Sequence, residues 1–105
     1  MTRILTFTEA ICEATEQEMS RDSNVLLLGL GVDDERGLQG TTKGLVDKFG
    51  HDRVFDTPLA EEGMTGIAIG MALSGLRPIH NHARMEFLLI AMNQVINIGA
   101  KAHYM

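Results

Sequence analysis

Arg53 to Arg77 read RVFDTPLAEEGMTGIAIGMALSGLR. A short β-type run, Arg53-Val54-Phe55, ends in Asp56-Thr57-Pro58, where the proline fixes the turn. Two adjacent carboxylates, Glu61 and Glu62, open a helix of small residues: Gly63, Gly66, Ala68, Gly70, Ala72, Ser74 and Gly75. Leu76 to His80 (LRPIH) is then another strand. A carboxylate at the start of so slim a helix marks a place where backbone and ligand come close.

Working back towards the N-terminus, Thr6-x-x-Glu9 reads as a capping box that opens a helix of about 14 residues. Arg21-Asp-Ser-Asn24 breaks it. Val25 to Leu28 is a short, continuous apolar run, as expected of a strand buried on both faces. Gly29-Leu30-Gly31 and an acidic loop, Asp33 to Arg36, follow, without the spacing of a calcium loop. Thr41 or Thr42 is expected to cap a short helix through Phe49, which Gly50 stops. Towards the C-terminus, Asn81 to Arg84 is a polar loop and Glu86 to Lys101 a long apolar helix. The order α–β–α–β–α–β–α predicts a single α/β domain over residues 1–105, three-layered, with a mostly parallel sheet and helices on both faces. Such sheets place ligands at the C-terminal ends of their strands. The loops there are Gly29–Gly37, Asp56–Glu62 and Asn81–Phe87.

The bulk numbers narrow the function classes. The chain has 105 residues, of which 45% are hydrophobic and 22% charged. The net charge of −5 argues against a nucleic-acid binder, which needs a basic patch. No apolar run approaches a membrane span, and no secretory signal is visible. The lone cysteine, Cys12, excludes an internal disulfide, fits a reducing compartment and leads to an expected cytoplasmic location. Eleven glycines and seven methionines suggest close helix packing and a homo-oligomer.

Two constellations carry chemistry. Glu61 and Glu62 point about 100° apart on a helix, so one faces inward and one outward. Both can be first-turn acids favoured by the helix dipole, or one can be a carboxylate held against a ligand nitrogen. His80, Asn81, His82 and Arg84 form the second group. They read either as a surface loop or as a wall where His82 and Arg84 meet an anionic substrate. Two histidines alone make a poor metal site, and no metal-binding residues are expected on this chain.

A resemblance now enters. Asp56-Thr57-Pro58-x-x-Glu61, Gly66-Ile67-Ala68-Ile69-Gly70, Gly75-Leu76-Arg77-Pro78, Gln94-Val95-Ile96-Asn97, Ala100-Lys101 and Tyr104-Met105 resemble the pyrimidine-binding domain of thiamine diphosphate enzymes. Within that group the chain is similar to the beta subunit of the decarboxylating component of 2-oxo acid dehydrogenases, a transketolase relative. The resemblance implies a thiamine diphosphate-binding fold, truncated, because the family continues past the Tyr-Met pair. It implies that Glu61 is the catalytic, cofactor-binding glutamate on the N1′ nitrogen of the aminopyrimidine. Phe87 would pack against that ring, with Leu30 and Ala83 as further cofactor-binding positions. Ala83 stands where a methionine often completes the pocket. Gly29-Leu30-Gly31-Val32 replaces an acidic family motif, and His82-x-Arg84 replaces an aromatic loop, so pyruvate is not assumed as the substrate.

The same resemblance implies an oxidoreductase half-site, inactive alone. Thiamine diphosphate would be shared with an alpha-type subunit that carries the diphosphate and its Mg2+. The competing expectation is a non-catalytic truncated domain that self-associates or binds a small molecule without turnover.

Overall fold

The computed structural model describes residues 2–104. Met1, Met105 and the Tyr104 side chain lie outside that description, and so does the end of the Tyr104-Met105 motif. Helix α1 (Phe7–Arg21) begins where the sequence predicts: Thr6 Oγ1 accepts the Glu9 N–H, and the Glu9 carboxylate accepts the Thr6 N–H at 2.8 Å. Strand β1 (Val25–Gly29), helix α2 (Leu45–Phe49), strand β2 (Val54–Phe55), helix α3 (Glu61–Leu73) and strand β3 (Arg77–Asn81) follow. The three strands form one parallel sheet in the order β2-β1-β3, with Leu27 opposite both Val54 and Ile79.

Alternation along the strands assigns the faces. Val25, Leu27 and Val54 pack with Met19 of α1 and Leu45 of α2, and Ile79 lies against the same cluster. Leu28 and its register partner His80 belong to the opposite face, where Thr65 of α3 meets the His80 ring. Helices therefore cover both faces of a parallel sheet, the expected α/β architecture. No helix among the described residues is long and apolar enough to cross a membrane.

Arg53 fastens this assembly. Its guanidinium donates to the carbonyls of Met19 at 2.7 Å, Val25 at 2.9 Å and Asp22 at 3.0 Å. One side chain thus closes the end of α1 onto the start of β1, satisfying carbonyls that a helix terminus leaves open.

Two expectations are corrected here. The short second helix is capped at Gly44, whose φ is +79°, and not at Thr41 or Thr42. Thr42 is buried, and its hydroxyl donates to the Val32 carbonyl at 2.9 Å. The expected α-helix from Glu86 to Lys101 is instead a 3-10 segment, Met85–Ala91, a π-helical segment, Gln94–Gly99, and a last 3-10 turn, Ala102–Tyr104. The Ala100 N–H reaches back five residues to the Val95 carbonyl. This segment packs on α3 through its small residues. A Cβ on Gly66 would stand 3.0 Å from Gln94 Oε1, and one on Gly99 would stand 3.2 Å from Ile69 Cδ1.

Candidate functional site

Parallel topology brings the loops after β1, β2 and β3 to one edge, and specific contacts lock them together. The Gly31 N–H donates to Asp56 Oδ1 at 2.8 Å, joining the loops after β1 and β2. Gly29 allows the C-terminal ends of β1 and β3 to approach closely, because a Cβ there would stand 2.5 Å from the Asn81 carbonyl oxygen. Between the three loops is a cavity lined by Leu30, Glu61, His80, His82, Ala83 and Phe87, with Thr57 and Pro58 at its side. Its volume is about 30 Å³, room for water-sized molecules only and too small to take up a heterocycle by itself.

The two glutamates at the start of α3 separate as their helical spacing requires. Glu61 is half-buried at the cavity, and no hydrogen bond or ion pair engages its carboxylate among the described residues. Glu62 turns to the C-terminal segment, where its Oε1 accepts from Asn93 Nδ2 at 2.6 Å and Gln94 Nε2 at 3.5 Å. Glu62 is thus a bridge between α3 and the C-terminal segment, a more specific role than a surface acid.

One turn further along α3, Thr65 is on the same face as Glu61. It is 7% exposed, and its hydroxyl is 3.3 Å from His80 Nδ1 and 3.5 Å from His82 Nε2. The two imidazole centroids are 4.4 Å apart. Burial first, and then the neighbouring His82, hold the His80 pKa below its ordinary value. Sequence reasoning missed Thr65, although its i+4 spacing from Glu61 placed it on the inward face.

Phe87, Leu30 and Ala83 line the same cavity, so every expected cofactor-binding position is at one place. Phe87 is half-buried, and Leu30 is 41% exposed. Arg84 is elsewhere. It lines a neighbouring groove with Leu38, Gln39, Thr41 and His82, is exposed, and pairs with Glu86 at 2.8 Å. His82 belongs to both cavities. His82 and Arg84 therefore line one groove, with Glu86 paired to Arg84.

The other candidates are occupied structurally. The Cys12 thiol donates to the Lys43 carbonyl at 3.4 Å, and its pKa is raised by burial first and then by the Glu16 charge. Asp33 faces His51 at 3.7 Å. Among the described residues no three histidine, cysteine or acidic side chains gather as a metal site.

Comparison with known proteins supplies an independent reading. The transketolase pyrimidine-binding domain family matches residues 4–105. The mitochondrial beta subunit of the pyruvate dehydrogenase E1 component from Saccharomyces cerevisiae is 43% identical over 104 residues, which are 99% of this chain and 28% of that protein. The mitochondrial beta-1 subunit from Oryza sativa subsp. japonica is 44% identical over 101 residues, 96% of this chain and 27% of that protein. The chloroplastic beta-3 subunit from Arabidopsis thaliana is 47% identical over 96 residues, 91% of this chain and 24% of that protein. The chain thus spans roughly a quarter of the length of these relatives. Their names correct the expected cytoplasmic location, since these relatives are mitochondrial or chloroplastic. Cysteine usage reports redox poise and does not name a compartment.

Proposed function

The chain belongs to the transketolase pyrimidine-binding domain family of thiamine diphosphate proteins, and on that premise we propose that its cavity is the aminopyrimidine half of a cofactor site. The observation that carries this reading is the contrast between two neighbours. Glu62 is consumed by Asn93 and Gln94, while Glu61 keeps a carboxylate at the cavity with no partner among the described residues.

The residues present fit the group. Glu61 offers one carboxyl oxygen to a ring nitrogen and shares a proton with it. Half-burial strengthens that hydrogen bond relative to water. Phe87 and Leu30 give an apolar wall for a flat heterocycle. Ala83 leaves that wall thinner than a larger side chain would. Thiamine diphosphate, when bound, supplies a nucleophilic carbon that adds to the carbonyl of a 2-oxo acid; the protein orients it and tunes its protons. His82 and Arg84, on the outer groove, suit an anionic substrate, with the Glu86 pair setting how much of the Arg84 charge is available.

The relatives are named beta subunits, which supports an alpha-type partner holding the diphosphate and Mg2+. The homo-oligomer suggested by glycine and methionine content has no support in those names.

The test is a titration of thiamine diphosphate and Mg2+ into the chain alone and with a candidate alpha-type subunit. Turnover of a 2-oxo acid is expected only with the partner. Glu61→Gln should lower it by about 10²- to 10⁴-fold, the usual range for a positioned acid–base group. Turnover at the wild-type level in Glu61→Gln would overturn the assignment, and binding without turnover under every condition would favour a non-catalytic domain.

A further inference from the structure

Thr65 stands between two imidazoles, and its hydroxyl has a single proton. It can donate to one ring nitrogen while accepting from the other. If it donates to His80 Nδ1, then His80 carries its own proton on Nε2; His82 must then donate from Nε2, leaving His82 Nδ1 bare. If it donates to His82 Nε2, both rings carry their protons on Nδ1, and His80 Nε2 is bare. The two states differ by a concerted shift. A proton arrives at His82 Nδ1, the His82 Nε2 proton moves to Thr65 Oγ1, the Thr65 proton moves to His80 Nδ1, and the His80 Nε2 proton leaves. Three N–H or O–H bonds form, three break, and no charge is stored.

We propose that Thr65, His80 and His82 form a proton relay joining the inner cavity beside Glu61 to the outer groove beside Arg84. The placement supports it at each end. Both rings line the inner cavity, and His82 also lines the outer groove. Thr65 is buried, which keeps water from taking over its hydrogen bonds; the parallel register of β3 with β1 sets His80 on the face towards α3, and His82, just past the strand, reaches the same hydroxyl. Burial first, and then His82, lower the His80 pKa, which favours the uncharged ring that a two-tautomer relay uses. The contacts of 3.3 and 3.5 Å lie beyond the usual limit of about 3.2 Å, so the proton path requires both to shorten when the cavity fills. The function of the relay rests on the cofactor reading above, because a site whose carboxyl and ligand exchange protons needs a route for them once solvent is displaced.

The relay makes an unusual demand: the two rings must share one tautomer. Long-range proton–nitrogen spectra of the full chain, labelled with nitrogen-15 in histidine at neutral pH, read this directly. Matched tautomer populations for His80 and His82 are expected in wild type and in Thr65→Ser. In Thr65→Val the match should be lost and the His80 Nδ1 and His82 Nε2 shifts should move. Opposite tautomers in wild type would mean that the hydroxyl does not bridge as a donor and an acceptor, and would overturn the proposal; so would unchanged shifts in Thr65→Val. If the valine variant does not fold, wild type and Thr65→Ser decide alone. With the partner subunit present, Thr65→Val should slow turnover by about tenfold or more at unchanged KM, with Thr65→Ser restoring it; wild-type turnover in the valine variant overturns the relay. Matched tautomers together with full activity in Glu61→Gln would sink the cofactor reading and leave the relay standing.

Discussion

Arg53 shows how much one side chain can do in a small domain. Its guanidinium satisfies carbonyls from the end of α1, the turn after it and the start of β1. Truncation removes the side-chain donor from the Met19 and Val25 carbonyls, while the Asp22 carbonyl keeps the Val25 N–H, so Arg53→Ala should lower stability by about 1–3 kcal/mol, read as a reduced urea midpoint. Arg53→Lys should recover only part of this, because an ammonium lacks the planar fork that reaches several carbonyls. A wild-type midpoint in Arg53→Ala would show that the clamp contributes nothing. Glu61 and Glu62 teach a related lesson. Helical spacing says that the two diverge, and the family motif says which one faces the site. That Glu62 is tied to Asn93 and Gln94 was not legible, because those partners are 31 and 32 positions away.

The elements on either side of the site depend on close backbone approach. A Cβ on Gly29 would meet the Asn81 carbonyl oxygen at 2.5 Å, and that atom is backbone and cannot swing aside. Gly29→Ala should therefore force β1 and β3 apart at their C-terminal ends, costing about 1–3 kcal/mol and lowering the thermal midpoint. Gly70 is a control on the neighbouring helix. A Cβ there meets nothing within 4 Å, so Gly70→Ala should be neutral or slightly stabilising. Equal losses in the two variants would contradict this contrast. The stretch 53–77 announced its strand, turn and helix through Pro58 and a helix stop at Gly75, whose φ is +101°. The C-terminal segment did not announce its 3-10 and π-helical turns. Its apolar pattern fits any helix, and the hydrogen-bond register follows from how Gln94 and Gly99 seat against α3.

At the scale of the whole molecule, a half-buried histidine couples folding to pH. His80 titrates below its ordinary value of about 6.5, through burial first and His82 second. The unfolded chain then binds a proton more readily than the folded one. Stability is fully present above about pH 6.5 and is lost as pH falls from there towards the folded pKa. Urea midpoints measured from about pH 7.5 down to pH 5 should decline, and His80→Gln should flatten the decline. A slope unchanged by that substitution would show that other groups carry it. Glu9 and Glu13, both lowered by hydrogen bonds to Thr6 and Arg3, act in a separate window below their ordinary value.

The sequence by itself determined the alternation of helices and strands, the parallel sheet, the capping box at Thr6 and Glu9, and the family that selects Glu61. These are properties of local spacing: periods of two and of 3.6, and motifs read along a single stretch. Only the tertiary structure decided that Thr65 bridges His80 and His82, that His82 belongs to two cavities while Arg84 lines the outer groove, and that Glu62 is spent on holding two elements together. Those facts depend on strand register and on the rotation of α3 against the sheet, set by packing between residues far apart in the chain. The stretch from Arg53 to Arg77 therefore carries one carboxylate that sequence could name and one hydroxyl that only the fold could place.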